Sequence, residues 1–146
     1  MEQNFDKVWA FTQGWEGGAK VTKDPTDPGG TTKFGISGHH HPELDIETLT
    51  EDQAKAIGRA EYWIPTRCGT RPWPLDLLAF DTAFNLGVDD VQAIDPKATS
   101  WEGWLLRRVM KHIRVARKLD HSVRANRWGW LFRCYDLYKA CLGGEG

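Results

Sequence analysis

The chain has 146 residues, enough for one domain of about 100–200 residues and too few for a second independent core. Its 40% hydrophobic and 27% charged residues describe a globular protein, and no run approaches the ~18 consecutive apolar residues of a membrane-spanning helix. The net charge of −1 conceals a division: residues 1–100 carry 9 Lys and Arg against 16 Asp and Glu, a balance of −7, whereas residues 101–146 carry 10 against 4, a balance of +6.

The N-terminus, MEQNFDKVWAF, has neither a basic region nor an apolar run, so no secretory signal is expected there. Phe5, Val8, Trp9 and Thr12 fall at i, i+3, i+4 and i+7 and predict a short first helix. Gly14 is expected to end it, leaving Trp15 and Glu16 at its C-terminal edge. Residues 19–36 change character. AKVTK and TTKFGI read as strands, and DPTDPGG between them is dense in turn formers, with Asp27-Pro28-Gly29-Gly30 suited to a type II turn. A small β-hairpin is predicted. Thr50-Glu51-Asp52-Gln53 matches a capping box, opening a helix that extends to Trp63 and stops before Pro65.

Trp73-Pro74 leads into LDLLAFDTAFNLG, a helix closed by Gly87, and VDDVQAIDPKATS after it reads as a turn region. Two helices fill the last third. The first has an apolar face of Trp101, Leu105, Val109, Ile113 and Ala116, with Arg107, Lys111, Arg114 and Lys118 opposite. In the second, Trp128, Leu131, Tyr135, Tyr138 and Leu142 hold the same spacing. The fold class expected is mostly α, of α+β type, with one hairpin near the N-terminus. Cys68, Cys134 and Cys141 make an odd count, and the last two are separated by about 10.5 Å of helical rise, too far for a disulfide. Free thiols in a reducing compartment are expected.

Glu16 stands out, beside Trp15 and before Gly17-Gly18. A carboxyl group against an indole is partly desolvated, which favours the protonated form a general acid needs. Two glycines clear space where an extended ligand must approach the backbone. The alternative is a surface Glu before a Gly-Gly turn. Asp24 and Asp27 on the predicted hairpin are candidates for a second carboxylate. Glycosidases use such a pair: one group protonates the leaving oxygen, while the other activates water or stabilises the oxocarbenium-like transition state. Each Asp also precedes a proline, which is ordinary turn chemistry, and both readings stay open.

His39, His40 and His41 point in different directions with no HExxH or Cys/His spacing beside them, so a solvated loop is expected rather than a metal site. Asp81 and Asn85 share a helix face at i and i+4, Asp81 to brace the hairpin and Asn85 to face a cleft. Tyr62 and Trp63 read as core or cleft wall.

The run WEGGAKVTKDPTDPGGTTKFGIS, residues 15–37, resembles the signature of glycoside hydrolase family 108, and the likeness continues through AEYW at 60–63 and FDTAFNLG at 80–87. Members are phage-type N-acetylmuramidases with a lysozyme-like fold that serve as endolysins. The resemblance implies that Glu16 is the catalytic Glu. A looser likeness to other phage lysozymes, with a Glu, an Asp and then a Thr before a Gly-Ile pair, implies Glu16, Asp24 or Asp27, and Thr32. Thr32 either orients a water or is simply a β-branched strand residue. Gly17, Tyr62 and Asn85 are the candidate substrate contacts. The sequence departs from the family at Ala19, where an aromatic is frequent, at Lys33, where Asn is common, and in the loop HHHPELD. These changes touch the rim of the cleft. RANRWGWLFRCYDLYK looks like the helix of the family's C-terminal peptidoglycan-binding segment.

The resemblance implies one lysozyme-like domain over 1–146, with 1–100 as its catalytic part and 101–146 as a basic helical segment open to a peptidoglycan-binding role. It implies cleavage of the β-1,4 bond between N-acetylmuramic acid and N-acetylglucosamine, with no metal and no cofactor. The alternatives are a lytic transglycosylase, or a wall-binding or virion structural domain without activity. The partners expected are peptidoglycan glycan strands and, through Arg107, Lys111, Arg114 and Lys118, an anionic envelope surface. Nucleic acid is not expected, because no recognised motif accompanies the charge, and the chain is expected to act as a monomer. Such an endolysin would accumulate in the host cytoplasm and reach the wall through a membrane pore; a virion-carried lysin is equally compatible.

Overall fold

Helix α3 (Leu75–Leu86) is buried without a break from Asp76 to Ala83 in the computed structural model, which describes residues 2–23, 30–118 and 127–143. A helix that is apolar on nearly every side belongs at the centre of a fold. Helix α1 (Phe5–Glu16) meets it through the predicted positions Phe5, Val8, Trp9 and Thr12, all buried. The rings of Phe5, Trp9, Trp63 and Phe80 touch with centroids 5.2–6.5 Å apart. Large aromatic rings remove the most apolar surface per residue, and edge-to-face pairing adds to that burial.

The helix α1 continues through Gly14, where it was expected to end, and is closed by Gly17 in the left-handed conformation, φ 84°. Glu16 is therefore its last residue. Strands β1 (Thr22–Lys23), β2 (Thr31–Lys33) and β3 (Ile36–Ser37) follow as a three-stranded antiparallel sheet in the order β1-β2-β3. The predicted hairpin thus gains a third strand. Thr32 pairs with Thr22 on one side and Ser37 on the other, and Lys33 pairs with Ile36. Phe34 and Gly35 between β2 and β3 both have positive φ, 54° and 74°, the backbone of a type I′ hairpin.

Thr50 caps helix α2 (Glu51–Gly58) with the predicted box: its hydroxyl accepts from Gln53 N, and the Gln53 side chain accepts from Thr50 N. A π-helical turn (Arg59–Trp63) completes the segment. The stretch after α3, expected as a turn, contains helix α4 (Val88–Ile94). Val91 and Ile94 bury one face of it, and Asp89 and Asp90 sit in its first turn, where a carboxylate complements the helix dipole.

Helices α5 (Trp101–Lys118) and α6 (Arg127–Leu142) fill the last third as predicted; α5 keeps most of its predicted face, with Leu105 buried and Trp101 and Val109 packed on the core, whereas α6 is rotated from its predicted face. On α5 the buried residues are Trp104, Leu105, Arg108 and His112, while Ile113 is exposed. On α6 they are Arg133, Cys134, Leu137 and Cys141, and the whole predicted face of Trp128, Leu131, Tyr135, Tyr138 and Leu142 is exposed. The rotation follows from the polar residues, because a carboxylate buried in α3 draws both arginines inward. Cys68, Cys134 and Cys141 are buried, and burial pushes Cys68 up to about 11 and Cys141 up to about 12.

Candidate active site

Asp81 sits in the middle of α3, fully buried among apolar neighbours. An isolated carboxylate there would be strongly destabilising, so it requires cations. Arg133 of α6 supplies two contacts, Nη2 to Oδ1 at 2.8 Å and Nε to Oδ2 at 3.0 Å. Arg108 of α5 supplies a third, Nη1 to Oδ2 at 2.7 Å, and Thr12 of α1 donates its hydroxyl to Oδ1 at 3.0 Å. Burial pushes the carboxyl upward, but the two guanidiniums and the hydrogen bonds outweigh it and hold Asp81 below the usual carboxylate range. Asp81 therefore braces α1, α5 and α6 rather than the hairpin.

Two arginines and one aspartate leave one positive charge over. Glu16 lies beside it: Arg133 Nη1 reaches its Oε1 at 2.6 Å, on a side chain about one-fifth exposed (22%). The position of Glu16 is fixed from three directions. Gly17 ends its helix. The β2–β3 turn lies against it, tied to α1 by Phe34 N donating to Gly18 O at 2.8 Å and by Gln13 Nε2 donating to Phe34 O at 3.1 Å. A Cβ on Gly35 would stand 3.2 Å from Glu16 Cγ and 2.5 Å from Phe84 Cε1, so both the contact and the positive φ require glycine there. Phe34 adopts the left-handed conformation without being glycine, a strain that buried surroundings must hold in place.

Arg133 is the charged neighbour that controls Glu16. Trp15, beside Glu16 in the chain, lines a groove of about 710 Å³ between α1 and α6 with Phe11, Gly14, Asp136 and Lys139. Tyr62 packs on Phe84 at a centroid distance of 4.8 Å. Burial, with the carboxylates of Glu61 and Glu16, pushes its hydroxyl upward, so it remains a donor at neutral pH. Asn85 Oδ1 accepts from Arg108 Nη2 at 3.3 Å and is half-buried, which joins it to the same network. Thr32 is half-buried in the middle strand. Glu16 and Tyr62 thus meet at the Phe84–Gly35 contact, Gly17 follows Glu16 as the helix cap, and Asn85 is joined to Glu16 through Arg108, Asp81 and Arg133. Asp24 and Asp27 lie outside the described residues.

Arg108 and Arg133 were absent from the sequence-derived candidates. Each lies in an otherwise amphipathic helix, and the clue was complementary: a single Asp inside the apolar run LLAFDTAF, and a lone Arg between Phe132 and Cys134. His112 of α5 stacks on Trp130 at 5.2 Å, with Nε2 buried and unpartnered. Burial and the nearby Arg108 and Arg133 push it down to about 4, so it is neutral at pH 7.

The three histidines of the loop do not converge. His40 Nδ1 lies 2.9 Å from Ser37 Oγ, and His41 stands between Glu43 and Glu61, each at 3.4 Å. Among the described residues no group of three or more His, Cys, Asp or Glu is placed to hold a metal ion.

The sequence matches the family model described as Glycosyl hydrolase 108 over residues 9–87. None of the curated proteins compared matches the chain. A solved structure of Brucella abortus SagA is similar in fold, with a TM-score of 0.77 at 18% identity, covering 97% of this chain and 95% of that one. The family match spans Glu16, the sheet and Asp81, while the architectural likeness extends over α5 and α6, which deliver the two arginines.

Proposed function

Because the chain belongs to glycosyl hydrolase family 108, and is therefore a glycoside hydrolase, we propose that it cleaves the β-1,4 bond between N-acetylmuramic acid and N-acetylglucosamine in peptidoglycan. The observation that carries this assignment is the placement of Glu16: a carboxyl group ending a helix, beside a glycine-lined turn, with one oxygen engaged by a buried arginine. Arg133 donates to Oε1, so that oxygen serves as an acceptor and the catalytic proton belongs on Oε2. In the reaction Glu16 transfers this proton to the bridging oxygen as the bond from C1 of the muramic acid breaks. A water molecule adds at C1 and gives up its own proton to a carboxylate. The glutamate that results is the charge for which the network has a spare guanidinium, and stabilisation that grows as the proton leaves accelerates the step.

Asp24 or Asp27, with Thr32, is assigned the second role of placing water or steadying the oxocarbenium-like centre, and the carboxyl separation decides inversion or retention. Gly17, Tyr62 and Asn85 are assigned to substrate contact. The likeness of residues 15–37 to phage-type enzymes supports an endolysin that collects in the host cytoplasm until a pore admits it to the wall. One catalytic unit over 1–146 is the proposed organisation, since Arg108 and Arg133 of the basic segment serve residues of the acidic one.

Purified peptidoglycan digested with wild-type protein and with Glu16→Gln, followed by mass spectrometry, tests the proposal. Reducing-end muropeptides from the wild type alone are expected. Products ending in 1,6-anhydro sugars would make the enzyme a lytic transglycosylase, and equal digestion by both proteins would remove Glu16 from the mechanism.

A further inference from the structure

Ten large hydrophobic residues are exposed among the described residues, and nine of them lie on α5 and α6. On α6 they are Trp128, Leu131, Phe132, Tyr135, Tyr138 and Leu142, with Trp128 and Phe132 each 60% exposed. Their spacing of three and four residues makes one stripe roughly 21 Å long at the rise of an α-helix. On α5 Leu106, Met110 and Ile113 follow the same spacing. The two helices pack on one another, Trp101 against Tyr138 and His112 against Trp130, so both stripes belong to one helical pair.

Charge accompanies the apolar surface. Arg107, Arg114 and Arg117 are exposed on α5 with no carboxylate partner among the described residues. A hollow of about 240 Å³ between α4 and α5 is lined by Lys97, Arg107, Lys111 and Arg114, with Asp90 its one carboxylate, bound to Lys111 at 2.8 Å. Met110 and Ile94 line the same hollow, so the cationic site opens directly beside apolar side chains.

We propose that the α5–α6 pair docks on an anionic phospholipid bilayer, with lipid phosphates at the Lys97–Arg107–Lys111–Arg114 hollow and the aromatic stripe of α6 in the headgroup boundary. An aromatic and leucine face flanked by arginines is the composition of helices that lie in that interface. Anionic headgroups attract each such cation. A second copy fits poorly, because a two-fold contact through this face sets like charges against each other. Nucleic acid satisfies the cations but leaves the aliphatic stripe uncovered. No helix among the described residues is long and apolar enough to cross a membrane, so the attachment is peripheral. The proposal is independent of the cleavage chemistry and is read without measuring it.

The full chain is sedimented with phosphatidylglycerol–phosphatidylcholine vesicles and with phosphatidylcholine vesicles at low and high salt. Partitioning at least about tenfold stronger on the anionic vesicles, weakening with salt, is expected. Arg107→Glu/Arg114→Glu is expected to lose about tenfold and most of the salt dependence. Trp128→Ser/Phe132→Ser is expected to lose about tenfold with Tm unchanged, since both side chains are exposed. Absence of binding to anionic vesicles, or binding that neither variant alters, would overturn the proposal. So would tighter binding to double-stranded DNA than to vesicles, or a dimer in sedimentation that Trp128→Ser/Phe132→Ser dissociates.

Discussion

Asp81→Asn is the most informative perturbation of the buried cluster. The aspartate receives Arg133, Arg108 and Thr12 while wholly inaccessible to solvent. Asparagine keeps the shape and one acceptor oxygen, but its amide turns donors toward guanidinium donors. Two buried guanidiniums then lose the carboxylate they share. Removing one partner from a buried pair costs about 3–5 kcal/mol. With each kcal/mol worth about 2–4 °C in a chain near this size, Tm should fall by roughly 6–20 °C. The pH dependence gives a second readout. The folded-state carboxyl lies below its unfolded value of 3.8, so its stabilisation is complete above that value and is lost as pH falls toward the folded one. The wild type should lose stability below about pH 4 through this group, and the variant should show a flatter acid limb. Thermal unfolding followed by far-UV circular dichroism from neutral to acid pH measures both. A variant Tm within about 2 °C of wild type, with the same acid slope, would refute the account of the cluster.

Three further outcomes follow from the packing. Gly35→Ala places a methyl group against Phe84 and Glu16 at positive φ; a loss of about 1–3 kcal/mol and a fall in muropeptide release larger than the stability change explains are expected, and full activity would dissociate the turn from Glu16. His112, pushed from 6.5 down to about 4, stays neutral in the folded protein while the unfolded chain takes up its proton, so stability is lost as pH falls from 6.5 to 4; a native resonance that titrates near 6.5 and disappears in His112→Gln would contradict this. Thr50→Ala removes the hydroxyl half of the capping box, leaving the Thr50 N–H on Gln53, and should cost about 1 kcal/mol, visible as a drop of a few degrees in Tm with activity unchanged.

What could be read in advance was the local chemistry. The spacing of Phe5, Val8, Trp9 and Thr12, the capping box at Thr50 and the helix from Leu75 each depend on residues within one or two turns, and each appears in the structure. Helix α4 was hidden because Asp, Gln and Pro around Val91 and Ile94 resemble turn chemistry, and only tertiary burial of those two residues favours the helix. The buried face of α6, and the arginine buried in α5, depart from the apolar pattern for a related reason. Hydrophobic periodicity assigns Tyr135 and Leu142 to the core and Arg108 and Arg133 to water, whereas a carboxylate 27 and 52 residues away reverses the assignment for the arginines. Glu16 was legible from its neighbours, but the group that binds it was not, because charge complementarity across the fold has no period.

Glu16 and Arg133 are separated by 117 positions, and this distance gives the enzyme an order of assembly during its own synthesis. A nascent chain presents α1 to α4 first, with the aromatic core available for collapse and Asp81 still without its cations. Burying that carboxylate alone is unfavourable, so the region around it has a physical reason to remain loosely packed until the last two helices emerge. When α6 docks, one guanidinium settles the deepest charge and orients the outermost one in a single event. A partial chain therefore lacks both the counter-charge of its core and the side chain bonded to Glu16, because a single arginine supplies the two.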